Sequence, residues 1–461
     1  MIFNWGISAM RRRGGHRLAQ AALVAVMLGR SGAVMPFVWA DEIASAPQLA
    51  PPLTIQLVLD AVLQHNPGLR AARELAQAAR HRIPQATALE DPMVGADLEG
   101  IDGGTYMDIE YMASQTWPFP GKRRLRGQVA ARASDIRQAE YEMLERDLVA
   151  QAKTVYFALA LVERSLDINR QNRELLEQIE RVAESQYATG SRTMQDVLKT
   201  QIELAKLSNE RIGLQQERTS AIARLNALMG RGPSAPIVLT TPARLGQLRL
   251  TLDELEQRLL DARPDLKAAA LAVARSSAEL GVARLDYLPD FTTRVEARQF
   301  RGGGGIREFD TMLAVNVPIW SWGKQHERVK EVRATLEASK AEQERAKLDA
   351  LAELRDGYAR LEAADRTAEL YATSILPQAE QTLNVAQTGY EAERVEFMDV
   401  LDAERAWKAL QLEYHRALAA FETAWAEVER AVGQPLERQT ADSDQQSADG
   451  TQAHAAREST P

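Results

Sequence analysis

Asp399 and Asp402 are the residues whose type and spacing point most directly to chemistry. Three positions apart on a helical stretch, their carboxylates share one face. Such a pair attracts cations. Two unit charges about 6 Å apart repel by ~0.7 kcal/mol in water. The competing reading is two ordinary acidic residues in a first helical turn, favoured by the helix dipole.

No constellation for catalysis accompanies them. His65, His81, His326, His415 and His454 lack the spacing of metal ligands, and no Ser/His/Asp arrangement stands out. Gly302 to Gly305 is a glycine run with no following helix that carries Lys and Ser or Thr, so it is not a phosphate loop. The chain has no Cys, which excludes disulfides, thiolate metal sites, a catalytic thiol and a lipidated N-terminal Cys. The expectation is a protein that is not an enzyme, with no metal site and no cofactor. The net charge is −8, with Lys and Arg interspersed among Asp and Glu, which argues against a nucleic-acid partner.

The elements that must position these residues come in two copies. Leu53-Thr54 recurs as Leu250-Thr251, Pro67 as Pro264 and Pro92 as Pro289, all at an offset of 197. Pro118 recurs as Pro318, Gly121-Lys122 as Gly323-Lys324, and Asp196-Val197-Leu198 as Asp399-Val400-Leu401, at offsets of 200, 202 and 203. A unit of about 200 residues is far longer than a solenoid repeat. This is a duplicated domain with pseudo-twofold architecture.

Each unit follows one plan. A short amphipathic helix runs from Thr54 to His65, then an Ala-rich helix from Leu69 to Leu89 with an expected irregularity at Pro84. Alternation from Met93 to Leu98 and from Tyr106 to Trp117, around Gly103-Gly104, predicts a β-hairpin. Leu144, Leu148, Ala152, Val155, Leu159, Val162 and Leu166 then step by threes and fours within a helix from Gly121 to Tyr187, ~100 Å long. A second helix, Thr193 to Met229, spans ~55 Å. Unit two repeats the order, with strands over 291–300 and 309–318 and with Pro377 expected to kink its long helix. Each pair of medium helices, stacked end to end, matches one long helix.

Arg11-Arg12-Arg13 and Arg17, the apolar run Leu18 to Leu28, and Val38-Trp39-Ala40 read as a secretory signal over 1–40. Arg30 interrupts the run short of the ~20 residues a spanning anchor needs. The first repeat then covers 41–232, a linker 233–250, the second repeat 251–433, and a polar, disordered tail 434–461. No later segment is apolar enough to span as a helix, so any spanning falls to strands. Four strands cannot close a barrel, and an open sheet cannot sit in lipid. A spanning form therefore requires several chains, a homo-oligomer.

Four segments carry a resemblance. They are Ser114 to Arg123 (SQTWPFPGKR), Tyr187-Ala188-Thr189-Gly190 with Asp196-Val197-Leu198, Leu376 to Glu380 (LPQAE), and Tyr390 with Asp399 to Arg405 (DVLDAER). With the duplicated frame, the mature chain resembles the TolC-like outer-membrane efflux proteins over essentially its whole length. It is most similar to the branch serving heavy-metal and cation pumps of the resistance-nodulation-division type.

The resemblance implies a mainly α fold with a small β part. Three copies would form a 12-stranded transmembrane β-barrel continued by an α-barrel across the periplasm of a Gram-negative bacterium. It implies a passive exit duct for cations, heavy metals or drugs, whose partners are outer-membrane lipid, a periplasmic adaptor and an inner-membrane pump. A periplasmic coiled-coil adaptor, a type I protein-secretion duct and a structural coiled coil without transport are the alternatives.

By the same resemblance, Asp399 and Asp402 match acidic rings at the periplasmic mouth. Tyr390 and Asp196 match positions that lock the closed mouth. The arginine of that lock is missing from unit two, where Val395 stands, while Arg192 holds the equivalent place in unit one. Helix packing near a turn is the alternative for Tyr390. Trp117, Trp320 and Trp322 sit where strand gives way to helix, suited to an interfacial aromatic belt or to ordinary core packing.

Overall fold

The computed structural model describes residues 52–99, 108–190, 193–240, 251–300, 305–392 and 394–436. The expected leader, the Gly103-Gly104 turn, Tyr106, Arg192, Gly302 to Gly304 and the tail from 437 lie outside the described residues.

The first helix, α1 (Ile55–His65), starts where the Thr54 side chain accepts the Leu57 N–H, a normal N-cap. Asn66 ends it and starts α2 (Pro67–Thr87). The Asn66 side chain accepts the Leu69 N–H at 3.1 Å, and Pro67 occupies the first helical position, where its missing N–H costs nothing. The helix runs on through Pro84 rather than breaking there. Pro84 falls in the last turn and forfeits a single bond, so little cooperativity is lost. Arg123 donates to the Thr87 carbonyl that α2 leaves open.

Strands β1 (Met93–Glu99) and β2 (Asp108–Trp117) form the first hairpin. The chain then turns at Gly121 into α3 (Lys122–Ala188), a single helix of 67 residues. Gly121 has a φ of 100°, and a Cβ there would stand 3.3 Å from the Leu285 side chain. Both facts favour glycine. Gly190, at φ 77°, ends the helix in the left-handed conformation. Helix α4 (Met194–Leu228) returns along it.

The second repeat begins with α5 (Leu252–Ala262), opened by a capping box between Thr251 and Glu254. It continues with α6 (Pro264–Leu285), β3 (Phe291–Gln299) and β4 (Glu308–Val315). The last strand is shorter than predicted. Asn316 still pairs with Asp290 through backbone and side chain, but Pro318 cannot extend the ladder. Helix α7 (Gln325–Leu370) leads into α8 (Leu376–Glu391), and α9 (Phe397–Val432) closes the unit.

Pro377 does not break the long helix. The turn Tyr371–Ile375 between α7 and α8 widens into a π turn, and the Leu376 N–H reaches back five residues to the Tyr371 carbonyl. The wider turn makes room for a proline ring that would strike the carbonyl of Thr373 in a regular helix. The spacing of buried residues records the same event. Leu354, Leu361 and Ala368 are seven apart, as are Leu383 and Tyr390, but fifteen residues separate Ala368 from Leu383. That is two heptads and one residue. The π turn absorbs the extra residue, which accounts for the repeat offset growing from 202 at Lys122/Lys324 to 203 at Asp196/Asp399.

The helices form columns. Helix α3 packs against α2 and α4, the medium pair of its own repeat, and also against α6 and α9. Helices α6 and α9 pack in turn against α7, and α8 against α9. The order is α2/α4, α3, α6/α9, α7/α8. The sheet follows the same logic, with order β1-β2-β3-β4 and every pair antiparallel. Pairing of β2 with β3, from Trp117↔Phe291 to Ile109↔Gln299, merges the two predicted hairpins into one sheet.

Equivalent cores hold each repeat. Val58 and Val62 of α1 pack with Leu159, Leu225 and Met229, and their counterparts Leu255 and Leu259 of α5 pack with Leu354, Trp425 and Val432. The start of the linker is strapped to the first core. Leu53 bridges Leu239, and the Tyr156 hydroxyl lies 3.1 Å from the Thr240 carbonyl. No helix among the described residues is long and apolar enough to cross a membrane.

Candidate functional site

The end of the columns far from the sheet is built from two helical turns, α3–α4 and α8–α9. An apolar cluster joins them: Leu176 and Ile179 of α3, Leu207 of α4, Ala386 and Tyr390 of α8, and Phe397, Val400 and Leu401 of α9. Tyr390 is 2 % exposed, and its ring meets Phe397 edge-on at 5.8 Å. Gln186 of α3 donates to the Tyr390 carbonyl at 3.4 Å. Tyr390 thus anchors one turn against the other. Val395 packs on the same cluster, and the Arg394 and Val395 N–H groups both bond to Gly389 O.

Asp196 occupies the first turn of α4, half-buried, where the helix dipole favours a carboxylate. Asp399 holds the same place on α9 and is exposed. Asp402 is exposed too, but its carboxylate is engaged by Arg405 at 3.1 Å. Arg405 also reaches Glu203 of α4 at 2.6 Å, and Lys206 meets Glu203 at 2.7 Å. Burial alone would raise the Glu203 carboxyl. Hydrogen bonds from Arg405 and Lys206 outweigh it and hold Glu203 below the usual range. Of the two acids expected at the mouth, Asp399 is exposed and Asp402 takes part in an α4–α9 charge network. Arg405 lies three residues from Asp402, so that pairing was open to sequence reasoning.

The network surrounds a residue that sequence reasoning missed. Glu404 points the other way from Asp402 and is 2 % exposed. Burial pushes its carboxyl up to about 7; the nearby Glu203 and Glu210 add to this, while Lys408 and Arg405 oppose it. Lys408 is committed to Glu210, which also accepts from Asn169 of α3 at 3.2 Å. Farther along the columns, burial and the adjacent Arg164 guanidinium lower His415 to about 4. Its neutral ring accepts a 3.0 Å hydrogen bond from Arg164 of α3.

At the opposite end, strands become helices around Lys122. Its ammonium is 2.9 Å from Asp290 Oδ1 and 3.0 Å from the Leu288 carbonyl, with Asp286 at 3.7 Å. Asp290 also accepts the Phe119 N–H at 2.7 Å. Burial would raise the Asp290 carboxyl, but Lys122 and this N–H hold it below the usual range. Trp117 ends β2 and donates from Nε1 to Thr293 at 3.0 Å. Trp320 and Trp322 follow β4, are more than half exposed, and stack edge-on at 5.6 Å.

The chain is a duplicated bundle of very long helices with a small antiparallel sheet at one end. The outer membrane efflux protein family model matches residues 58–231 and again 255–434, and the chain belongs to that family of outer-membrane efflux channels. It is 24 % identical over 389 residues to the cobalt-zinc-cadmium resistance protein CzcC of Cupriavidus metallidurans, covering 84 % of this chain and 91 % of that one. It is 23 % identical over 371 residues to the pyoverdine export outer membrane protein OpmQ of Pseudomonas aeruginosa, covering 77 % and 75 %. The outer-membrane channel OprN shares the fold with a TM-score of 0.73 at 21 % identity, over 82 % of this chain and 89 % of that one.

Proposed function

We propose that three copies of the chain form the exit duct of a tripartite exporter. Their strands close a shared 12-stranded barrel in the outer membrane, and their helices continue it as an α-barrel across the periplasm. A periplasmic adaptor and an inner-membrane pump of the resistance-nodulation-division type deliver cargo to the mouth. The repeats act over 41–232 and 251–433, after removal of the leader over 1–40.

The observation that carries this reading is a pair of open edges on both layers. Among the described residues, strands β1 and β4 each have a neighbour on one side only. Met93, Val94 and Leu98 are exposed on the first, and Phe309, Leu313 and Val315 on the last. The outer helical columns match. Leu75, Ile202 and Ile212 are exposed on α2/α4, and Leu348, Leu370 and Val385 on α7/α8. Open strand edges cannot remain in lipid, so further copies must cover them.

Metal cations are the favoured cargo class. The support is the likeness to a cobalt-zinc-cadmium resistance protein and the acidic turn of α9. Asp399, Asp402, Asp196, Tyr390 and Arg192 would line and latch the mouth, while Trp117, Trp320 and Trp322 would sit at the membrane interface. Reconstitution in planar bilayers tests this. A trimer by light scattering and discrete cation-preferring conductance are expected; a chain that never conducts is not a duct. Loss of cation preference in the Asp399→Ala/Asp402→Ala variant is the expected sign of the acidic mouth, and an unchanged preference removes both residues from it.

A further inference from the structure

The internal repeat supplies a template for a contact that one chain cannot complete. Lys122 opens α3 and seats its ammonium on the turn joining α6 to β3, where it is 3 % exposed. Lys324 stands at the equivalent Gly-Lys step of the second repeat, offset by 202, at the start of α7. It is exposed, although its N–H is fixed by the Trp320 carbonyl at 3.2 Å. The counterpart of the α6–β3 turn is the α2–β1 turn, at an offset of 197. That turn belongs to the first column of the chain, whereas Lys324 belongs to the last. Glu90 and Asp91 are both exposed on it.

We propose that Lys324 seats on the α2–β1 turn of a second copy of this chain, pairing with Asp91 and Glu90. Each boundary between copies would then repeat the Lys122 seat found inside each chain. The seat is not an exact replica. The position equivalent to Asp290 is Met93, and the carboxylate comes instead from Asp91, which stands at the position of Leu288. A second copy is the fitting occupant for three reasons. The turn and the lysine carry opposite charges. Within the chain, the same two structural elements already dock in this way. The seat also lies between the two pairs of open edges, β4 with β1 and α7 with α2. The inference rests on the three-copy reading and adds which residues meet.

The absence of Cys gives a clean test. Lys324→Cys combined with Asp91→Cys is treated in outer-membrane extracts with bis-maleimidoethane, a short thiol-to-thiol linker. Covalent dimers and trimers on a denaturing gel are expected, and neither single variant should give them. A control pair, Lys340→Cys with Asp91→Cys, should stay unlinked. A trimer that is intact by light scattering yet unlinked at 324 and 91 overturns the seat and spares the three-copy reading. A protein that is never trimeric overturns both. As a second readout, Lys324→Glu should lower the temperature at which the trimer dissociates, and adding Glu90→Lys/Asp91→Lys should restore it. Failure of that exchange to restore the trimer also counts against the seat.

Discussion

Lys122 Nζ lies 2.9 Å from Asp290 Oδ1, and that contact ties the first repeat to the second where helices give way to strands. Replacing Lys122 with Met would leave the carboxylate facing a carbonyl with no cation between them. Asp290 is only partly buried, so leaving it without the ammonium should cost about 1–3 kcal/mol. Asp290 has a lowered folded value, so its contribution is present above the ordinary carboxylate range and is lost as pH falls through that lowered value. The variant should therefore melt earlier near neutrality and show a flatter acid limb. Equal melting curves for parent and variant would contradict the role given to the pair.

Glu404 predicts the opposite pH slope. Its folded value is raised from 4.5 to about 7, so the folded chain holds the proton more tightly. The associated stability is complete below about pH 4.5 and is lost as pH rises through about 7. Glu404→Gln should remove that slope and stabilise the protein above neutrality by on the order of 3 kcal/mol. Denaturation midpoints on either side of this window decide it; a slope that survives in the Gln variant assigns it to another group.

Tyr390 separates packing from latching. Tyr390→Ala empties a buried site and should cost about 3–5 kcal/mol. Tyr390→Phe keeps the ring on Phe397 and removes only the hydroxyl. If that hydroxyl helps to latch the mouth, the Phe variant should keep its melting temperature while closed-state conductance in bilayers rises. Unaltered conductance would leave Tyr390 a packing residue.

The π turn can be tested by subtraction. Deleting Ser374 together with Pro377→Ala should restore a regular helix from Gln325 to Glu391 and a steady heptad pitch. Amides near Thr373 should gain hydrogen-exchange protection, and Tyr390 should stay buried. A variant in which the α8–α9 turn becomes exposed would mean that the extra residue has a structural task.

Much of this could be read in the sequence because the repeat exposes it. The offsets of Pro67, Lys122 and Asp196 marked equivalent elements, and the threes and fours around Leu148 and Leu159 marked the long helix. Pairing of β2 with β3 was not legible, because each strand alternates alike whichever edge it meets. Pro377 was visible as a disturbance, but its form depends on the one residue by which the offset grows, which only the heptads on both sides reveal. Glu404 sits among charged neighbours and reads as solvated. Glu203 and Glu210, which act on its carboxyl, lie on α4, distant in sequence. The Lys122 seat depends on Asp290, which the repeat itself does not reproduce at Met93.

The seam between β2 and β3 also governs assembly in time. Trp117 and Thr293 bond across it from positions 176 residues apart. The β1–β2 hairpin is local and can form while the chain is still being exported. Its β2 edge must then wait for all of α3, α4, α5 and α6 before β3 arrives, and pairings of such separation form slowly. During that wait the edge can be taken by β3 of another molecule. Refolding should therefore slow and lose yield as protein concentration rises. Pulse-labelled hydrogen exchange should show α3 protected well before the seam.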